Sequence, residues 1–223
     1  MVPIDRRRDM MNAKELVSRL HWLGHDSFRL DGPPVIYFDP WKLKGRLPVA
    51  DLVLVSHEHH DHCSPDDVKK VSGPDTVVVA AATAAKQLPG AQVVRPGDHL
   101  SAAGVEIEAV RAYNVNKFRS PGVPFHPRQA EHVGYVVTID GVRIYFTGDT
   151  DHIPEMAEIE CDVALLPVSG IYVMTAEEAA GAARTLGPQI VVPMHYGAGI
   201  GTANDGPRLA ELYDGEVVLL KVE

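Results

Sequence analysis

The chain has 223 residues, 45% hydrophobic and 23% charged, with a net charge of −9 from 21 Lys and Arg against 30 Asp and Glu. Those proportions suit a globular chain with a sizeable core and exclude a disordered one; they also disfavour nucleic acid as a partner, since phosphate-backbone binding needs the opposite charge balance. Two cysteines, Cys63 and Cys161, cannot form a disulfide framework, no apolar run approaches the ~18 residues of a membrane span, and residues 1–11 lack the apolar stretch of a signal peptide, so a cytoplasmic protein with no membrane partner is expected.

In chain order, residues 1–11 read as a flexible N-terminal extension of a single domain covering 1–223. Asn12 with Glu15 is a capping box opening a short helix to about Leu20. Residues 22–30 and 35–39 alternate like strands across a Gly32-Pro33-Pro34 turn. The continuous apolar run 52–55 predicts a strand buried on both faces, and Ser64-Pro65-Asp66-Asp67 predicts a helix start. Further strands are expected over 76–80, 92–95, 105–111, 133–139 and 142–146, the last two joined by an Asp140-Gly141 hairpin turn. Residues 163–167, 190–194 and 217–222 add three more. Thr175 and Glu178 cap a helix running to Leu186, stopped by Gly187-Pro188. Hairpins early in each half followed by strand–helix alternation suggest two mixed sheets with helices outside. Between Tyr113 and Val133 lies an aperiodic, proline-rich stretch of the length that usually carries function.

The chain has 11 histidines, and four of them fall between positions 57 and 62. In Ser56-His57-Glu58-His59-His60-Asp61-His62-Cys63, extended backbone sends His57, His59 and Asp61 to one side, and a turn at the helix start brings His62 in from another direction. Imidazole with carboxylate suits zinc, manganese or iron. Two other strand ends offer partners: 142–146 runs into Gly148-Asp149, and 190–194 runs into His195-Tyr196. Loops at the same ends of several strands can meet in one cleft.

His57-x-His59-x-Asp61-His62, the later Gly148-Asp149 and the final His195 resemble the metal-binding signature of the metallo-β-lactamase-fold superfamily, and Asp39 resembles its supporting first-motif acid. The match runs in order from about Trp22 to Tyr196. Trp22-Leu23-Gly24-His25, Gly148-Asp149-Thr150 and Pro193-Met194-His195-Tyr196 are similar to the branch containing L-ascorbate-6-phosphate lactonase and many metal-dependent hydrolases. The resemblance implies an α/β (α+β) fold, a four-layer αββα sandwich of two mixed sheets, with a dinuclear site at one edge. His57 and His59 would then hold one divalent cation, Asp61, His62 and His195 the second, and Asp149 would bridge them. Zinc is the expected ion and manganese the alternative.

The pattern departs at one place. Where the family supplies a histidine after the strand at 105–111, this chain has Tyr113-Asn114. His126, in the long loop, is the expected replacement ligand, with His132 second. The resemblance implies a metal-dependent hydrolase in which a metal-bridged hydroxide attacks a lactone or ester, phosphorylated or not. Phosphodiester hydrolysis at the same site is one alternative, and a degenerate member that binds metal or a small ligand without turnover is another. Histidine at position 59, where the oxygen-reducing diiron branch has a carboxylate, favours hydrolysis over redox chemistry. Asp61 and His25 are the expected catalytic residues. Asn114, Arg128 and Tyr196 are expected to contact a small substrate, anionic or neutral, with Lys117 beside the loop. Glu58 should point away from the site. A homo-oligomer is compatible with the sequence.

Overall fold

The structure is a computed structural model that describes residues 11–197 and 199–223. The expected N-terminal extension lies, except for Met11, outside the described residues. The first half runs α1 (Ala13–Ser18), β1 (Leu20–Gly24), β2 (Ser27–Leu30), β3 (Ile36–Phe38), β4 (Ala50–Val55), α2 (Pro65–Val71), β5 (Ser72–Ala81) and β6 (Gln92–Val94). The second runs β7 (His99–Ala102), β8 (Val105–Arg111), β9 (Phe118–Ser120), β10 (Val123–Pro124), β11 (Val133–Ile139), β12 (Val142–Phe146), β13 (Val163–Pro167), α3 (Ala176–Leu186), β14 (Ile190–Met194), α4 (Asp205–Leu212) and β15 (Glu216–Val217).

Strands β1 to β6 form one sheet in sequential order, antiparallel from β1 to β3 and parallel from β3 to β6. The second sheet is ordered β15-β14-β13-β12-β11-β8-β7, antiparallel from β7 to β12 and parallel beyond. Each half therefore begins with hairpins and ends with parallel strands, whose connections must cross over outside the sheet.

Strand alternation assigns the layers. In β4, Leu52 and Leu54 join the core between the sheets, with Phe38 and Phe146 packed ring to ring at 5.2 Å. Val53 and Val55 turn outward to a second cluster with Val68 and Val71 of α2. On the other sheet, α3 buries Ala176, Ala179, Ala180, Ala182, Ala183 and Leu186. The result is the expected αββα sandwich, with small side chains letting α3 approach closely. Among the described residues no helix is long and apolar enough to cross a membrane.

Three local expectations change. The segment 22–30 is a hairpin, because Gly24 (φ +104°) and His25 (φ 53°) turn the chain between β1 and β2. The long loop carries the short β9–β10 hairpin. The final strand stops at Val217, after which Val218 hydrogen-bonds to Val191 and Val222 bridges to Trp22.

Candidate metal centre

The site lies where strand ends meet. After β4 the chain runs Ser56 to His62, after β12 it reaches Asp149, after β14 His195, and between β1 and β2 stand His25 and Asp26. Asp39 follows β3. Direct backbone bonds join these ends: Val133 donates to Ser56, His195 to His25, and Asp151 to Tyr113. His25, Asp39 and His195 all have positive φ, at 53°, 40° and 55°. Non-glycine residues there carry strain of roughly 1–3 kcal/mol, which persists only where the surroundings hold it.

One donor group is His57, His59 and His126. His57 Nε2 lies 3.1 Å from His59 Nδ1, and His126 Nε2 lies 3.2 Å from the same atom. The second group is His25, Asp26, His62 and His195, whose ligand atoms lie within 4.8 Å of one another. Asp149 stands between the groups. Its Oδ2 is 3.2 Å from His126 Nε2, and its Oδ1 is 3.4 Å from His62 Nε2 and 3.6 Å from His195 Nε2.

The far sides of His57, His62, His126 and His195 are anchored, so that one nitrogen of each is left for the site. Asp39 is the hub: it accepts from the Ser56 amide, from Ser56 Oγ and, at 2.8 Å, from His62 Nδ1. His57 Nδ1 donates to Ser56 Oγ at 2.9 Å, so the same buried carboxylate orients rings in both groups. Ser169 Oγ takes the Nδ1 side of His195 at 2.9 Å. His62 Nε2, His195 Nε2, Asp149 Oδ1 and both oxygens of Asp26 are buried without a hydrogen-bond partner. Buried polar atoms are rarely orphaned, and a cation shared among them accounts for all five. The donor set therefore fits divalent metal.

The electrostatics agree. Burial and the neighbouring His126 push His59 down to about 4, and burial with His62 pushes His57 below its usual range, so both rings are neutral near pH 7. Burial also pushes His62 down, but the Asp149 and Asp39 carboxylates outweigh it and hold the ring well above its usual range. Burial would raise Asp149, yet His62, His195 and His126 hold it well below the carboxylate range. Asp26 is driven up by burial and by Asp149 beside it.

The expected replacement at the departure from the family pattern can be traced atom by atom. Asn114 does not enter the cleft as a substrate contact. Its Oδ1 accepts from the His126 amide at 2.8 Å and from His126 Nδ1 at 2.9 Å, while Nδ2 donates to Asp151 and to the Tyr172 carbonyl. Asp151 in turn accepts from the Val115 and Asn116 amides. Asn114 therefore orients the His126 ring. His132 is drawn off: its Nε2 faces Glu58 Oε2 at 3.0 Å, and its ring stacks on His57. Glu58 thus points away from the site, as the alternation predicts.

Two other expected substrate contacts are engaged elsewhere in the structure. Tyr196 is buried, stacked on Trp22 at 4.9 Å and packed against Gly206. Arg128 is tied to Glu155 at 2.7 Å and lies over the Tyr113 ring. Lys117 is likewise engaged, by Glu178 at 2.6 Å. His25 is buried among the second donor group, its Nε2 facing Asp61 Oδ2 at 3.3 Å. Burial pushes His25 down to about 4, and the same contact holds Asp61 below the carboxylate range although burial opposes it.

A cleft of about 390 Å³ opens over the centre, lined by His59, His60, Asp61, Arg119, Phe125, His126, Asp149 and Tyr172. Arg119, Phe125 and Tyr172 were not singled out in the sequence, because they lie in loops without periodicity. Asp26 was missed too; the only signal was its position beside His25.

The match to the beta-lactamase superfamily domain covers residues 19–195. A UPF0173 metal-dependent hydrolase of Methanoculleus marisnigri is 38% identical over 185 residues, 80% of each chain. A second, from Thermoplasma acidophilum, is 31% identical over 80% of this chain and 83% of its own. A crystal structure from Parabacteroides distasonis, described as a candidate metal-dependent hydrolase, superposes with a TM-score of 0.81 at 35% identity, covering 92% of this chain and 93% of that one. Igni18, a metallo hydrolase from Ignicoccus hospitalis, shares the fold at 24% identity, with a TM-score of 0.69 over 91% of this chain and 94% of its own.

Proposed function

The chain belongs to the beta-lactamase superfamily and, within it, to the UPF0173 metal-dependent hydrolases, and from that membership we propose that it hydrolyses a small lactone or related ester, phosphorylated or not, using two divalent cations. His57, His59 and His126 would hold the first cation, Asp61, His62 and His195 the second, with Asp149 shared. One observation carries this reading: Asp149 turns one oxygen to each donor group. Bound there, divalent cations supply acidified water and positive charge for a carbonyl or phosphoryl oxygen. Three imidazoles at the first position suit zinc, with manganese the alternative.

The protein's own side chains do the rest. Asp39 and Ser56 fix the ring orientations. His25 faces Asp61 at 3.3 Å and orients its carboxylate at the cleft. Arg119 is the cationic side chain lining the cleft, over the Phe125 ring and with Tyr172 also in the lining, which supports a substrate with a negative group beside a flat or apolar body. Cys63 is unsuited to nucleophilic attack, being buried with its thiol pushed up to about 11. His126 in the corner left by Asn114 argues against a degenerate site. The reading includes a cytoplasmic protein and the lactonase-like branch.

The test is hydrolysis of a lactone panel, of phosphorylated esters and of bis-p-nitrophenyl phosphate, before and after chelation. Lactone or ester turnover lost on chelation and restored by zinc or manganese supports the proposal. Turnover confined to the phosphodiester moves the substrate class. Activity that survives exhaustive chelation overturns the reading.

A further inference from the structure

The β1–β2 turn contributes an acid that the expected ligand pattern leaves out. Asp26 is fully buried, and neither carboxylate oxygen has a hydrogen-bond partner. Buried charges in folded proteins are paired or bound to metal, because an isolated one forfeits its hydration with nothing in return. Its Oδ2 lies 3.5 Å from His62 Nε2, and the Asp149 carboxylate is beside it. A cation between the two carboxyl groups would meet the unpartnered oxygens of both. His62 Nδ1–H donates to Asp39, and its Nε2 faces Asp26 and Asp149 at 3.5 and 3.4 Å. Those separations, with 3.6 Å from His195 Nε2 to Asp149 Oδ1, exceed hydrogen-bond lengths. They match the edge, roughly 3.4 Å, of a tetrahedron of ligands about 2.1 Å from one ion.

We propose that Asp26 is itself a ligand of the second cation, standing with His62, Asp149 and His195. This rests on the two-cation reading above. It makes the two positions chemically unlike. The first is built from imidazoles, and the second gains a carboxylate oxygen that favours harder ions such as manganese. Gly24 and His25 matter here for their backbone: the positive φ of both residues turns the chain so that Asp26 points inward from the hairpin.

The experiment is titration of the chelated full-length chain with Mn2+, following free ion by electron paramagnetic resonance, for wild type, Asp26→Asn and Asp26→Ala. Melting of the metal-free proteins is recorded alongside. Wild type is expected to take up two ions. Both variants should keep one at wild-type affinity and bind the other at least about tenfold more weakly. The metal-free variants should melt no lower than wild type, because the unpartnered carboxylate is gone. Wild-type affinity for both ions in the variants, or an equal loss of both, overturns the assignment of Asp26. Wild type binding no ion overturns the two-cation reading instead. If neither variant folds, anomalous diffraction from Mn2+-loaded wild-type crystals decides: an Asp26 oxygen about 2.2 Å from the second ion supports the proposal, and one beyond about 3 Å overturns it.

Discussion

Replacing Asn114 with alanine separates an orienting role from a substrate contact. The side chain is buried and makes four hydrogen bonds of 2.8–3.2 Å, to the His126 amide, His126 Nδ1, Asp151 and the Tyr172 carbonyl. At about 1 kcal/mol net for each, less what water recovers in the space left behind, Asn114→Ala should destabilise the metal-free protein by ~3 kcal/mol. For a chain of this size that lowers the melting temperature by roughly 6–12 °C. His126 Nδ1–H also loses its acceptor, freeing the ring to rotate and to change tautomer. Loss of such a partner typically weakens a bound metal about 10–100-fold. Asn114→Asp keeps the acceptor for His126 but sets a carboxylate against Asp151, so it should bind the first cation more tightly than Asn114→Ala while remaining destabilised. Competition with a chromophoric chelator and thermal melting after chelation give both numbers. If Asn114→Ala raises KM while leaving melting temperature and cation affinity at wild-type values, Asn114 is a substrate contact and the reasoning fails.

Three further outcomes follow from the same geometry. His126→Ala should weaken the first cation by at least about tenfold, whereas His132→Ala should mainly lower stability by unpairing Glu58; equal effects on metal titration would contradict this assignment. Gly148→Ala should displace Asp149 and weaken both cations, since φ is +61° and a Cβ would meet Ser56 Cβ and the Val133 carbonyl at 3.1 Å; wild-type metal affinity in that variant would refute it. Burial would raise the Glu178 carboxyl, but Lys117, the Thr175 amide and Asn116 hold it below its usual range. A depressed folded value stabilises above the unfolded pKa of about 4.3, and the contribution is lost as pH falls through the lower folded value. Glu178→Gln should therefore lower stability at pH 7 by ~1 kcal/mol, discounted for partial exposure, with the difference shrinking below about pH 4. A melting difference constant from pH 7 to pH 3 would be inconsistent with that linkage.

Much of the fold was legible because period and punctuation are local signals. The run at 52–55 read as a strand buried on both faces, and the structure divides it between two clusters. The Asp140-Gly141 turn fixed the register of β11 on β12. The segment from His57 to His62 was legible for the same reason, since its donors are neighbours in the chain. The Asn114 contacts were not legible because its partners are 12, 37 and 58 residues away, across loops without periodicity. Tyr196 looked available beside His195, yet Trp22, distant in sequence, covers it. Helix α4 was missed because Asn204-Asp205-Gly206-Pro207 reads as a turn, and its burial comes from tertiary packing of Leu209. Asp26 left almost no trace, since a lone acid in a hairpin turn is ordinarily solvated.

Anomalous diffraction from wild-type crystals grown with the native metal retained would locate the cations. Two peaks per chain are expected, one among His57, His59 and His126 and one beside His62 and His195, with Asp149 reaching both. A single peak, or no metal beside His126, would contradict the two-cation reading.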